Sequence, residues 1–91
     1  MIDPPRPYQV LLSRTAEKAL DTLPGKHYAQ IYFKLLSLAD NPRPQDCKKL
    51  RGSTNEYRVT QGEYRILYTL EDAVRIVSVF HIAGRDKAYR K

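Results

Sequence analysis

The sequence predicts a single α+β domain in which two short helices pack on one face of an antiparallel β-sheet. The chain has 91 residues, the size of one small domain, and 42% of them are apolar, as in a globular protein. The spacing of the apolar residues changes from a helical period to strand-like runs in the second half of the chain. We therefore expect one domain over residues 1–91, with the proline-rich residues 1–7 as a loose N-terminal arm.

The first part of the chain predicts a strand and then a helix. An apolar run at residues 8–13 favours a short strand. Ser13 or Thr15 provides an N-cap for the helix that follows, and Pro24-Gly25 ends it. The apolar face of this helix consists of Ala16, Leu20 and Leu23.

A second helix is predicted over about residues 26–39, and Asn41-Pro42 ends it. Its apolar stripe is wide, and we expect the stripe to pack in the core. The stripe consists of Tyr28, Ile31, Tyr32, Leu35, Leu36, Leu38 and Ala39.

The second half of the chain is rich in Val, Ile, Tyr and Thr, which favour strands. A short run, KKL, comes before three longer runs at 56–60, 64–71 and 74–82. Hairpin turns are predicted at Gln61-Gly62 and Asp72-Ala73. The predicted order of elements is therefore β-α-α-β-β-β.

The charge balance favours an anionic partner. Sixteen Lys and Arg against ten Asp and Glu give a net charge of +6, which suits nucleic acid, an acidic membrane surface or an acidic protein. The single cysteine, Cys47, cannot form an internal disulfide, and the sequence begins without a secretion signal. We expect a cytoplasmic protein.

The tripeptide Glu-Tyr-Arg occurs twice, at residues 56–58 and 63–65. A turn centred on Gln61-Gly62 would place Arg58 directly opposite Arg65 on neighbouring strands. Like charges placed opposite each other destabilise a sheet by up to about 1 kcal/mol. Such a pair makes physical sense when an anion lies between the two guanidinium groups, and their planar geometry suits phosphate.

Further basic residues surround this hairpin. If the run 64–71 forms the central strand, its start lies beside the end of the last strand, so that Arg65 and Arg85 meet at one end of the sheet. Tyr89 follows and can stack on a base. The other basic residues near the hairpin and in the tail are Lys48, Lys49, Arg51, Lys87, Arg90 and Lys91.

The available chemistry favours charge stabilisation. No metal-binding motif, paired cysteines or glycine-rich phosphate loop occurs in the sequence, and we expect no metal or cofactor. Arginine is a poor base but stabilises phosphate charge, and RNA supplies its own nucleophile, the 2′-hydroxyl. His81 is a candidate general acid or base, although a histidine at a strand end is more often structural.

Three stretches of this chain resemble the RelE/ParE superfamily of bacterial toxins from toxin–antitoxin pairs. They are KKLRGS (48–53), EYRVTQGEYRILY (56–68) and GRDKAYR (84–90). The resemblance to RelE-like members implies an endoribonuclease that cleaves mRNA on the ribosome by 2′-hydroxyl attack without metal, and that a cognate antitoxin neutralises. It implies catalytic roles for Arg58, Arg65, Arg85 and Tyr89, and RNA contacts by Lys48, Lys49 and Arg51.

Two positions depart from the RelE-like pattern. Thr60 and Gly84 stand where many members carry a basic residue, so the identity of the proton-transfer groups stays open between Tyr89, a lysine and His81. Two alternatives to the nuclease function follow. One is a ParE-like inhibitor of DNA gyrase, and the other is a non-catalytic RNA-binding module.

Overall fold

A five-stranded sheet with two helices on one face forms the fold. The computed structural model describes residues 7–84, so most of the predicted N-terminal arm lies outside the described residues. The strand order is β1-β5-β4-β3-β2. The elements are β1 Gln9–Leu12, α1 Arg14–Asp21, α2 Gly25–Asp40, β2 Lys48–Lys49, β3 Glu56–Gln61, β4 Tyr64–Glu71 and β5 Ile76–Gly84.

The predicted α+β class is confirmed, with one correction to the sheet. The strands β2 to β5 are antiparallel, but β1 runs parallel to β5 at the edge of the sheet. No hairpin joins β1 to β5, because both helices and the strands β2 to β4 lie between them in the chain, and such a long connection permits parallel pairing. A local apolar pattern carries no information about the direction of β1.

A side-chain cap begins α1, whereas α2 begins after a proline. The Ser13 hydroxyl accepts a hydrogen bond from the Ala16 amide at 3.1 Å, which makes Ser13 the N-cap of α1. The helix α2 follows after Pro24, whose carbonyl accepts a hydrogen bond from the Tyr28 amide at 2.8 Å.

Neither helix of the described region has the length and apolar character of a membrane-spanning segment.

The apolar stripe of α2 is only partly buried, which corrects the expectation from the sequence. Ile31, Leu35 and Leu38 lie in the core. Tyr32 and Leu36 remain 44% and 47% exposed, and Tyr28 is 37% exposed. Because α1 covers β5 while α2 contacts β1 and β3, the sheet covers only one narrow face of α2. Part of the stripe is therefore surface.

The core lies between the helices and one face of the sheet. Tyr68 is fully buried at its centre, and its hydroxyl donates to the Pro42 carbonyl at 2.7 Å. Burial raises the pKa of this phenol above its usual range. The buried residues are Ala16, Leu20, Ile31, Leu35, Leu38, Val59, Ile66, Tyr68, Leu70, Val77, Val79 and Ile82.

A polar network joins four segments of the chain at the end of the sheet where β4 turns into β5. Asp72 begins this turn, which is four residues long and not the predicted two. Arg43 donates two hydrogen bonds to the Asp72 carboxylate, at 3.1 and 2.8 Å, and a third at 3.2 Å to the Tyr57 hydroxyl. The Tyr8 hydroxyl also donates to Asp72. The network thus ties the start of β1 and the loop before β2 to the β4–β5 turn.

Replacing Asp72 with Asn should lower stability at neutral pH and remove part of its acid dependence. Hydrogen bonds from Arg43 and Tyr8 lower the pKa of the Asp72 carboxyl to about 2, well below the usual value for an aspartate. A carboxyl group whose pKa is lower in the folded state than in the unfolded state stabilises the fold at pH values above its unfolded pKa. This contribution is lost as the pH falls from about 4 to about 2. Thermal unfolding of Asp72→Asn and wild type across this range measures the difference.

The neighbouring exposed residue Glu71 provides the control. Glu71→Gln removes one negative charge from the last residue of β4, beside the same turn, but leaves the Arg43–Asp72 pair intact, and it should change the melting temperature less than Asp72→Asn does. If wild type still melted above Asp72→Asn by the same margin at pH 2, the ion pair would not be the source of the difference in melting temperature.

Candidate nucleic-acid interface

The β3–β4 hairpin turns one residue later than the sequence analysis predicted. Gln61 pairs with Tyr64, which leaves Gly62 and Glu63 as the two turn residues. Gly62 has φ +61°, and a glycine with positive φ at the first turn position fits a type II′ hairpin turn. The register therefore pairs Arg58 with Leu67, and the predicted direct opposition of Arg58 and Arg65 is wrong.

The two arginines nevertheless share one face of the sheet. Residues paired directly across an antiparallel ladder point to the same side, and Arg65 pairs with Thr60, two residues from Arg58. The neighbouring pair of Val59 and Ile66 is buried in the core. Arg58 and Arg65 therefore face away from the helices as diagonal neighbours, about 7–8 Å apart at their backbones. That separation suits two guanidinium groups that converge on one phosphate.

A row of paired residues crosses this face from β2 to β5. Lys48 pairs with Arg58, Arg58 pairs with Leu67, and Leu67 pairs with His81. We call the surface formed by Lys48, Arg58, Arg65 and His81 the arginine face. Glu56, which pairs with Thr69, adds one carboxylate to the same side of the sheet. The arginine face thus carries three cationic side chains on adjacent strands.

A β-bulge sets the direction of His81. The register of β4 against β5 jumps between Leu67, which pairs with His81, and Tyr68, which pairs with Val79. Val79 and Ile82 both lie in the core, so the two residues between them face the other side. Strict alternation after Val79 would have pointed residue 81 into the core. The bulge places the half-buried imidazole on the arginine face instead.

The predicted RNA-binding residues do not all lie on this face. Lys49 pairs with Tyr57, whose ring stacks on the buried Tyr68 ring at 5.9 Å between centroids. Lys49 therefore belongs to the opposite side of the sheet from Lys48. Arg51 is exposed in the turn after β2.

Two of the predicted catalytic residues follow β5 in the sequence. Arg85 and Tyr89 lie outside the described residues. The last described residue, Gly84, pairs with Tyr64, one residue from Arg65 on β4. In the described part of the chain, no cluster of three His, Cys, Asp or Glu residues has the arrangement to hold a metal ion.

A family of known proteins matches nearly the whole chain. Residues 10–89 match the model of the ParE toxin of type II toxin–antitoxin systems, parDE. The chain belongs to the RelE/ParE superfamily of toxins. It is 34% identical over 86 residues to toxin RelE of Mycobacterium tuberculosis (strain ATCC 25618 / H37Rv), and the match covers 92% of this chain and 88% of the relative. The family predicted from the sequence is thereby confirmed.

Solved structures support the same family. The archaeal RelE–RelB complex from Pyrococcus horikoshii OT3 contains a chain that matches this toxin with a TM-score of 0.77 at 28% identity, covering 86% of this chain and 94% of that one. The intact E. coli RelBE toxin–antitoxin complex matches with a TM-score of 0.74 at 25% identity, covering 85% and 95%. The toxin is therefore similar to RelE in both sequence and fold.

A second surface lies on the helix side and was missed in the sequence analysis. An apolar groove runs between β1, α1 and α2, and we call it the helix groove. Its walls include the exposed side chains Leu11, Tyr28, Tyr32 and Leu36. The width of the α2 stripe was the available signal, because an apolar face wider than a sheet can cover leaves part of itself exposed.

Exchanging Lys48 and Lys49 one at a time for Ala tests the arginine face. Lys48→Ala should weaken binding of single-stranded RNA and reduce the slope of log affinity against log salt by about 0.7, as for one lost phosphate contact. Lys49→Ala removes the same charge from the opposite side and should leave the slope nearly unchanged. Fluorescence anisotropy over a salt series measures both. Equal slopes for the two variants would mean that binding does not use this face.

Proposed function

We propose that this toxin is a ribosome-dependent mRNA endoribonuclease that inhibits translation. The observation that carries the proposal is the placement of Arg58 and Arg65 on one face of the two central strands, with Lys48 beside them. Their diagonal spacing allows both guanidinium groups to reach a single phosphate. The similarity to toxin RelE of M. tuberculosis supports the same assignment.

The proposed reaction uses the nucleophile of the RNA itself. The 2′-oxygen attacks the adjacent phosphorus, the bond from phosphorus to the 5′-oxygen breaks, and negative charge accumulates on the phosphoryl oxygens. Arg58 and Arg65 stabilise that charge, and the proposal requires no metal ion. Arg85 and Tyr89 complete the catalytic set by resemblance to RelE-like toxins.

The RNA-binding assignment changes with the geometry. Lys48 is a direct contact, because it shares the arginine face with Arg58. Arg51 contributes through its positive charge in the exposed turn after β2, whereas Lys49 lies on the other side of the sheet and is not a contact in this proposal. Ribosomal context supplies the rest of the binding energy, so cleavage of naked RNA should be weak.

The family match favours an alternative candidate function. The matching family model is that of ParE toxins, and Thr60 and Gly84 stand where many RelE-like chains have basic residues. The alternative is inhibition of DNA gyrase without nuclease activity. Pulse labelling after induction separates the two, because an mRNA endoribonuclease stops protein synthesis first and a gyrase inhibitor changes DNA supercoiling.

Arg65→Ala and Arg85→Ala should each abolish toxicity and leave the fold intact. Arg65 is half-buried on the sheet face opposite the core, so removing its guanidinium creates no core cavity. Loss of one group that stabilises developing charge costs about 10²–10³ in rate. Cleavage of mRNA on programmed ribosomes measures the rate, and circular dichroism reports folding.

Arg14 provides the matched control for this pair. It is exposed at the start of α1, away from the arginine face, and Arg14→Ala should retain full toxicity. Full toxicity of both Arg65→Ala and Arg85→Ala would overturn the site assignment. Insolubility of both variants would instead assign these arginines a structural role.

We also propose that a cognate antitoxin binds the helix groove. The two similar structures described above are complexes of RelE with RelB. In this toxin, Tyr32 and Leu36 expose apolar surface beside β1, one of the two edge strands of the sheet. An amphipathic antitoxin segment can cover that surface and fold as it binds. The positive charge of the toxin adds attraction that weakens as salt rises.

Leu36→Asp should weaken antitoxin binding by at least tenfold, because it places a charge in an apolar contact. Phe33→Asp is the matched control: Phe33 is 66% exposed on the same helix but does not line the groove. Co-expression with the adjacent reading frame, followed by pull-down and titration calorimetry, compares the two. Equal losses for Leu36→Asp and Phe33→Asp would locate the antitoxin elsewhere.

A further inference from the structure

We propose that His81 is the group that removes the proton from the 2′-hydroxyl. This inference rests on the proposed endoribonuclease function. Attack on phosphorus requires the 2′-hydroxyl to lose a proton. The Arg58 and Arg65 guanidinium groups cannot accept it, because arginine is already protonated near neutral pH. An imidazole accepts protons in that range and is the most common general base in enzymes. A group of this kind is what the two arginines do not supply.

The backbone around His81 supports an exposed role. The alternation of buried residues in β5 runs through Val77 and Val79 and then resumes at Ile82, a spacing of two and then three. The extra residue is the bulge opposite Leu67 and Tyr68. Without the bulge, a histidine at position 81 would be directed into an apolar core, at the cost of burying a polar group. β-Bulges often redirect one side chain in this way beside active sites.

The position of His81 complements the two arginines. It pairs with Leu67 from one side while Arg58 pairs with Leu67 from the other. Arg65 is two residues from Leu67 and is the diagonal neighbour of both. A phosphate bound at Arg65 therefore has Arg58 on one flank and the imidazole on the other, each within the reach of one side chain.

Among the residues that the structure describes, few charged side chains lie around the imidazole. Lys48, Arg58 and Arg65 lie on the same face, on β2, β3 and β4. Glu56 and Glu71 are the acidic residues of the described strands on that face; Glu56 pairs with Thr69 and Glu71 with Ile76, both farther along the sheet from Arg65. Leu67 separates His81 from Arg58 in the row. The nearest charged neighbour in this register is therefore the Arg65 guanidinium, which would hold the phosphate.

The proposed step is balanced without another reactant. Neutral His81 takes the proton of the 2′-hydroxyl while the bond from the 2′-oxygen to phosphorus forms. The bond from phosphorus to the 5′-oxygen breaks, and the leaving oxygen takes up a proton from water. The products are a 2′,3′-cyclic phosphate and a 5′-hydroxyl, and the imidazolium then returns its proton to solvent.

The test compares the two histidines of the chain. Single-turnover cleavage of mRNA on programmed ribosomes is measured for wild type, His81→Gln and His27→Gln over about pH 5.5 to 8.5. We expect His81→Gln to reduce the rate by about 10²–10⁴ and to remove the acidic limb of the pH–rate profile. His27 contacts the Tyr64 ring from α2, on the helix side of the sheet, and His27→Gln should keep both the rate and the profile.

Two measurements separate chemistry from structure. RNA affinity and melting temperature of His81→Gln should stay near wild type, and added imidazole should restore part of the rate of His81→Gly. A wild-type rate and profile for His81→Gln would overturn the inference while leaving the nuclease function in place. A lost rate with lost affinity and no rescue would overturn it in favour of a structural role. Absence of cleavage by wild type would instead reject the proposed function itself.

Discussion

The register of the β3–β4 hairpin determines where every charged side chain of the site points. Val59 and Ile66 form a directly opposed pair that is fully buried against the helices. A slip of one residue in either strand would expose that pair and turn Arg58 or Arg65 into the core. Gly62 supports this register, because its positive φ suits a two-residue turn that ends at Tyr64. The hydrophobic core therefore orients the arginines, although it does not contact their charged groups.

The lysine of the arginine face depends on a different support. The strand β2 contains only Lys48 and Lys49, too few residues to hold a position by ladder hydrogen bonds alone. Two interactions hold the loop before β2 in place. The Tyr68 hydroxyl donates a hydrogen bond to the Pro42 carbonyl, and Arg43 forms an ion pair with Asp72. The same buried tyrosine that fills the core thus helps to hold the edge strand beside Arg58.

The sequence predicted the elements well and their mutual arrangement less well. Helix and strand boundaries follow local patterns, and the observed bounds differ from the predicted ones by one or two residues. The central position of β4 was also anticipated. The register was not, because the repeated Glu-Tyr-Arg fits a turn at Gln61 as readily as one at Gly62. The spacing of Val77, Val79 and Ile82 was a signal for the bulge. A strand prediction judges the alternation over the whole run, however, and one extra residue changes that alternation too little to be noticed.

The two surfaces of the toxin lie on opposite sides of one sheet, which constrains how a partner can silence it. An antitoxin segment confined to the helix groove would leave Arg58 and Arg65 uncovered, since both face away from α2. Covering them requires a second segment that passes around an edge of the sheet. The edge at β1 borders the groove and lies beside β5, the strand that carries His81. A chain that crosses there meets the proposed proton-transfer group before it meets the arginines, so even a short extension beyond the groove would block the reaction.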